Sequence, residues 1–255
     1  MLDAGHGGQD PGALGTKLRE KDVALTVAML IGAQLIGLGI DVRYTRKDDT
    51  FIPLARRAEM ANEAGVDLFL SIHCNSSNKP ARGFEVFTTP GQTKADPFAT
   101  ELFKAFASEF PTLPKRMDTS DGDPDKEASF AVLRLSDMPA ALFELDFIHD
   151  PGGEEFLGDA VFQGRMAKAL AGGVYRTLFP IGAGIPLTPP AVQEPATVTQ
   201  GEAGSMGEIV GRLLAKSRSS HAEIVALIDT LNGLAVRQAR ELEAITADIE
   251  RLRSK

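Results

Sequence analysis

The chain has 255 residues, 43% of them hydrophobic, and a net charge of −8 from 27 basic and 35 acidic side chains; it is not basic enough to track a phosphate backbone, which argues against a nucleic-acid partner. Its single cysteine, Cys74, excludes an intrachain disulfide framework and a multi-cysteine zinc site, and the absence of Trp leaves poor material for a sugar-stacking module. No apolar run approaches the roughly 18–20 residues of a membrane span.

In chain order, Met1–Ala4 reads as the end of a strand, followed by a Gly-rich loop through Gly15. Asp22–Ile36 has helical periodicity, with Gly37 and Gly39 as its stop signal. Ile40–Thr45 reads as a strand, and Leu54–Ala64 as a helix entered through Pro53. Val66–Ile72 is a nearly continuous apolar run suited to a strand buried on both faces. Gly83–Phe87 reads as a short strand, Pro97–Phe110 as a helix and Arg116–Glu127 as an exposed polar loop. Phe130–Leu135 and Ala140–Phe147 read as two more strands, and Glu154–Leu178 as a final amphipathic helix. This alternation predicts an α/β domain over residues 1–180, with a mostly parallel twisted sheet and helices on both faces.

Residues 181–205 are rich in proline and turn formers and read as a linker. Residues 206–255 have helical character and nearly balanced charge. Ile224, Ile228, Leu231, Ala235, Gln238, Leu242, Ile245, Ile249 and Leu252 follow a 4-3 spacing, the stripe of a coiled coil. A homo-oligomer, dimer or trimer, formed through 224–252 is the expectation. A helix lying on a membrane, on another protein or back on the first domain is the alternative.

Histidine is rare: His6, His73, His149 and His221. His6 and His73 follow predicted strands, and in a parallel sheet functional groups gather at the carboxyl ends. Glycines on both sides of His6 leave room around its ring. A zinc site of two His and one carboxylate needs a third ligand. Glu20, at a helix entry, is one candidate, although for an isolated Glu there the reading as a charge favoured by the helix dipole wins. Glu144 lies inside an apolar strand, where an unpaired carboxylate would be costly. It needs either an ion-pair partner or a function, and a raised pKa suits a general base.

LDAGHGGQDPGA, REKDVAL, TRKDDTFIPLARRAEMAN, SIHCNSS, RGFEVF and MPAALFELDFIHDP occur in that order. Together they resemble the successive signatures of the N-acetylmuramoyl-L-alanine amidases of the family 3 type, over about residues 1–178. The resemblance implies zinc held by His6, Glu20 and His73, with Glu144 catalytic. It implies hydrolysis of the amide joining N-acetylmuramic acid to L-alanine in peptidoglycan. Asn75 and His149 become candidate substrate contacts, His149 having a loop hydrogen bond as its other reading.

Some positions depart from the family pattern. The first strand is short, and Asp146 stands where Gly is usual, which reads as an outward-facing acidic residue. Cys74 is expected on the opposite sheet face, buried. Arg46, Arg56, Arg57 and Asn62 are expected to tie helix and loop together. The stretch between Phe87 and Glu144 leaves no room for a helical plug, so the site is expected to be open.

MLDAGHGG lacks the basic and apolar regions of a secretory signal. The expectation is therefore synthesis in the cytoplasm and action on the wall after release, as a phage endolysin, or secretion with a missing leader. Two other functions compete: a zinc peptidase or deacetylase acting on another wall-derived amide, and a wall-binding protein without catalysis.

Overall fold

The computed structural model describes residues 1–180. The 181–205 linker, the 206–255 tail and its 224–252 stripe lie outside the described residues. The elements are β1 (Leu2–Ala4), α1 (Glu20–Gly37), α2 (Leu54–Ala64), β2 (Phe69–Asn75), β3 (Glu85–Thr88) and α3 (Asp96–Glu109). They continue with β4 (Lys126–Glu127), α4 (Ala131–Arg134), β5 (Ala140–Phe147), α5 (Pro151–Gly158) and α6 (Ala160–Leu178).

The strands form one sheet in the order β1-β2-β5-β3-β4. All neighbours are parallel except β3 and β5, which run antiparallel. Alternation sorts the side chains into two layers. Phe69, Ala140 and Leu142 point to one face, where Ala61 of α2 and Val132 and Leu133 of α4 cover them. On the other, Phe143 and Phe84 pack with Phe106 of α3, ring centroids 4.8 to 5.8 Å apart. Each of these rings is fully buried and contributes about 1.5–3 kcal/mol. Behind this layer Gly173 lets α6 close on α3, since a Cβ there would sit 2.9 Å from the Leu102 backbone.

Four expectations are corrected. Phe130–Leu135 holds a single helical turn rather than a strand. Val132 and Leu133 are adjacent yet both enter the same core cluster, which a period of two does not allow. Ile40–Thr45 contributes only one bridge, Leu2 to Tyr44, because the three-residue β1 offers little edge to pair with. Glu154–Leu178 is two helices, beginning earlier at Pro151. Asp150 caps α5 and Asp159 restarts the chain as the N-cap of α6, each accepting two backbone N–H groups. The polar 116–127 loop ends in the two-residue β4, paired with β3.

Two buried arginines tie the sheet to the first loop, as the third sequence motif suggests. Arg57 is 2% exposed and pairs with the fully buried Asp3 at 2.8 Å. It also donates to the carbonyls of Ala4, His6 and Ile52. Arg46 donates to the carbonyls of Ala4, Gly5, Lys21 and Asp48. Asn62 bridges to Leu135 and Asp137, whereas Arg56 is exposed and pairs with Glu59 and Glu63 of its own helix α2.

Candidate active site

The carboxyl ends of β1, β2 and β5 meet at one cleft of about 310 Å³, lined among others by His6, Glu20, His73, Asn75, Phe130 and Glu144. His73 and Glu144 are register partners on the α2/α4 face. His6 reaches the same point from the loop after β1, in a left-handed conformation (φ 60°) held by the Arg57 contact to its carbonyl. Glu20 enters from the first turn of α1, which begins two residues earlier than its periodicity predicts.

One oxygen of Glu20, Oε1, lies 3.0 Å from His6 Nε2 and 2.8 Å from His73 Nδ1. Its other oxygen accepts the Ala13 N–H at 2.7 Å. The sheet register shifts between His73 and Asn75, and the Cys74 N–H donates at this shift to Glu20 Oε1. Cys74 itself is buried, as expected. Glycines clear the space: a Cβ on Gly5 would strike the His73 ring, and one on Gly12 would come within 2.6 Å of both Glu20 and His6.

Among the described residues, His6, Glu20 and His73 form one group able to hold a metal, with ligand atoms within 4.8 Å of one another. Burial raises the Glu20 carboxyl, but hydrogen bonds from His6 and His73 outweigh it and hold it well below the usual carboxylate range. Burial also disfavours charge on His6, yet Glu20 and Asp10 raise its pKa. A half-buried site that keeps its carboxylate ionised and draws positive charge to His6 suits a divalent cation competing with protons. Asp10 accepts at 2.8 Å from His6 Nδ1, fixing the ring so that Nε2 faces Glu20.

Glu144 presents Oε2 without a hydrogen-bond partner and sealed from solvent. Burial, then the like charges of Glu20 and Glu85, push its pKa well above the carboxylate range. An ion-pair partner, the alternative in the sequence reading, is not found for it among the described residues. Glu85 is its register partner on β3 and completes a row of His73, Glu144 and Glu85 across the sheet.

The remaining candidates divide. Asn75 lines the cleft. His149 has both ring nitrogens engaged by the loop after β2: Nδ1 accepts the Ser77 N–H at 3.1 Å and Nε2 donates to the Lys79 carbonyl at 2.9 Å. Asp146 is not outward-facing. It is fully buried, bonded to Arg82 and to the backbone N–H groups of Gly83 and Phe147. Arg82 gives Asp146 the ion-pair partner that Glu144 lacks among the described residues. Sequence reasoning missed Asp3, Asp10 and Glu85; Asp3 and Glu85 carried a usable signal, a carboxylate inside an apolar strand motif.

The sequence model of the N-acetylmuramoyl-L-alanine amidase family matches residues 1–176. The chain is 34% identical over 214 residues to an N-acetylmuramoyl-L-alanine amidase of Neisseria meningitidis, a match covering 69% of this chain and 51% of that protein. It thus spans about half the length of that relative. An endolysin of Bacillus phage SPP1 is 33% identical over 178 residues, 69% of this chain and 67% of that protein. The crystal structure of an N-acetylmuramoyl-L-alanine amidase from Clostridium difficile superposes with a TM-score of 0.66 at 31% identity, over 71% of this chain and 96% of that one.

Proposed function

The chain belongs to the N-acetylmuramoyl-L-alanine amidase family, and from that premise we propose that it uses zinc to cleave the amide between N-acetylmuramic acid and L-alanine in peptidoglycan. One observation carries this reading: His6, Glu20 and His73 converge beside a Glu144 whose Oε2 is left unpartnered in the same cleft.

His6, Glu20 and His73 would hold the metal, with Asp10 and the Ala13 and Cys74 N–H groups orienting the ligands. Zinc bound there supplies Lewis acidity to the scissile carbonyl and to the attacking water. Glu144 takes a proton from that water as its oxygen attacks the carbonyl carbon, then delivers it to the alanine nitrogen as the C–N bond breaks. Burial and the neighbouring carboxylates keep its proton affinity high enough for that exchange. Leu54 and Phe130 stand exposed at the cleft, an apolar wall for the stem peptide. Asn75 is a substrate contact.

The likeness to the phage endolysin supports a role in wall lysis or remodelling. No helix among the described residues is long and apolar enough to cross a membrane. The 4-3 stripe of 224–252 supports self-association of the full chain, which sedimentation of the 255-residue protein would test.

Digestion of purified peptidoglycan with the zinc-loaded protein tests the central reading. Free L-alanine amino termini without new reducing ends are expected. New reducing ends in their place would mark a glycosidase and end the proposal.

A further inference from the structure

Asn75 lies at the carboxyl end of β2, with its backbone carbonyl accepting the Ile148 N–H at 2.9 Å. Its side-chain amide is held just as firmly. Oδ1 accepts the Ser76 N–H at 2.8 Å, and Nδ2 donates to Glu85 Oε1. The two ends of an amide are otherwise interchangeable, but here neither can be. A backbone N–H can only donate, and an ionised carboxylate can only accept.

Glu85 is built for that task. It is 4% exposed, and its second oxygen, Oε2, accepts from Lys126 Nζ at 2.7 Å and Arg116 Nε at 3.2 Å. The two cations occupy that oxygen and leave Oε1 to Asn75. Its place follows from topology. β3 runs antiparallel to β5, so the first residue of β3 arrives at the carboxyl end of β5, opposite Glu144. Glu85 therefore links a cationic pair outside the cleft to an amide that lines it.

One donor is left over. The second N–H of Asn75 Nδ2 has no acceptor among the described residues, on a side chain that faces the cleft with His73 and Glu144. A neutral N–H donor with fixed direction matches an uncharged carbonyl oxygen, a group present on both sides of the bond to be cut. We propose that Asn75 donates this N–H to an amide or lactyl carbonyl oxygen of the substrate, and that Glu85 is the positioning residue that aims it. This assignment rests on the amidase reading above and adds to it a second acceptor-specific contact.

The test is steady-state hydrolysis of soluble muropeptide by the zinc-loaded full chain, comparing Asn75→Ala, Glu85→Ala, Glu85→Gln and the double Asn75→Ala/Glu85→Ala. Loss of one neutral hydrogen bond should lower kcat/KM about five- to tenfold in Asn75→Ala, with zinc content unchanged. Glu85→Ala should show a similar loss, and the double variant should fall no further than Asn75→Ala alone, because both changes remove one interaction. Glu85→Gln, whose amide oxygen can still accept from Asn75, should recover most of the activity. It also carries the comparison if Glu85→Ala does not fold. A merely structural Glu85 would give losses that multiply in the double variant, and that result overturns the proposal. So does wild-type kcat/KM in Asn75→Ala. A wild type that releases no L-alanine amino termini instead refutes the amidase reading itself, and this assignment with it.

Discussion

Replacing Arg57 by Met tests how the site is held rather than what it catalyses. Met keeps much of the apolar stem but removes the charge facing Asp3 and the donors to Ala4, His6 and Ile52. Asp3 is fully buried, so an uncompensated carboxylate remains in the sheet. Breaking a buried pair in this way costs about 3–5 kcal/mol. For a domain of this size that lowers Tm by about 6–20 °C. The pH dependence has a definite sign. In the wild type, burial raises Asp3, yet Arg57 and hydrogen bonds from Ser71 and Thr45 outweigh it and hold the pKa below its ordinary value of 3.8. That stability is present above the unfolded pKa and is lost as pH falls through the folded one. Without Arg57, burial dominates and the folded pKa rises above the unfolded value, so the variant loses stability as pH rises instead. Urea unfolding of the two proteins with chelator present, at pH 7 and pH 4, measures the gap. It should exceed about 3 kcal/mol at pH 7 and shrink at pH 4. A gap under about 1 kcal/mol at pH 7, or one that widens in acid, would refute this account of the buried pair.

Gly12→Ala brings a Cβ within 2.6 Å of Glu20 and His6, two of the proposed metal ligands, at a φ of +67°. Zinc affinity, read by chelator competition, should fall at least about tenfold, and an unchanged affinity would show that the cleft yields easily. Asp10→Ala frees the His6 ring and should weaken zinc about 10- to 100-fold while leaving the fold intact by circular dichroism. Asp146→Asn removes the charge facing Arg82 and should cost about 1–3 kcal/mol in thermal unfolding; a neutral result would make the buried pair dispensable.

Much of the site was legible because parallel sheets put functional groups at strand ends. His73 and Glu144 stood out as polar residues closing or interrupting apolar runs, and they prove to be register partners. Glu20 did not stand out, because a carboxylate in a first helical turn has an ordinary explanation. Only the family motifs singled it out, and three-dimensional convergence with the two histidines supplies the physical reason. Errors came where tertiary context overrides a local pattern. The run around Val132 and Leu133 looks like a strand, yet it lies across the sheet face as a single turn. Asp146 looked exposed because its neutralising partner, Arg82, is 64 residues away in sequence. Glu85 stood as a carboxylate in an apolar strand motif, but its role was not legible for a similar reason: Asn75, Arg116 and Lys126, which it brings together, come from three separate segments.

The central claim is that Glu144 turns a metal-binding cleft into a hydrolytic one, and Glu144→Gln examines it most directly. Zinc content and release of L-alanine amino termini should be measured on the same preparation. The account predicts wild-type zinc content with turnover reduced by about 10²- to 10⁴-fold. Turnover near the wild-type rate with zinc bound would contradict it and remove Glu144 from the chemistry.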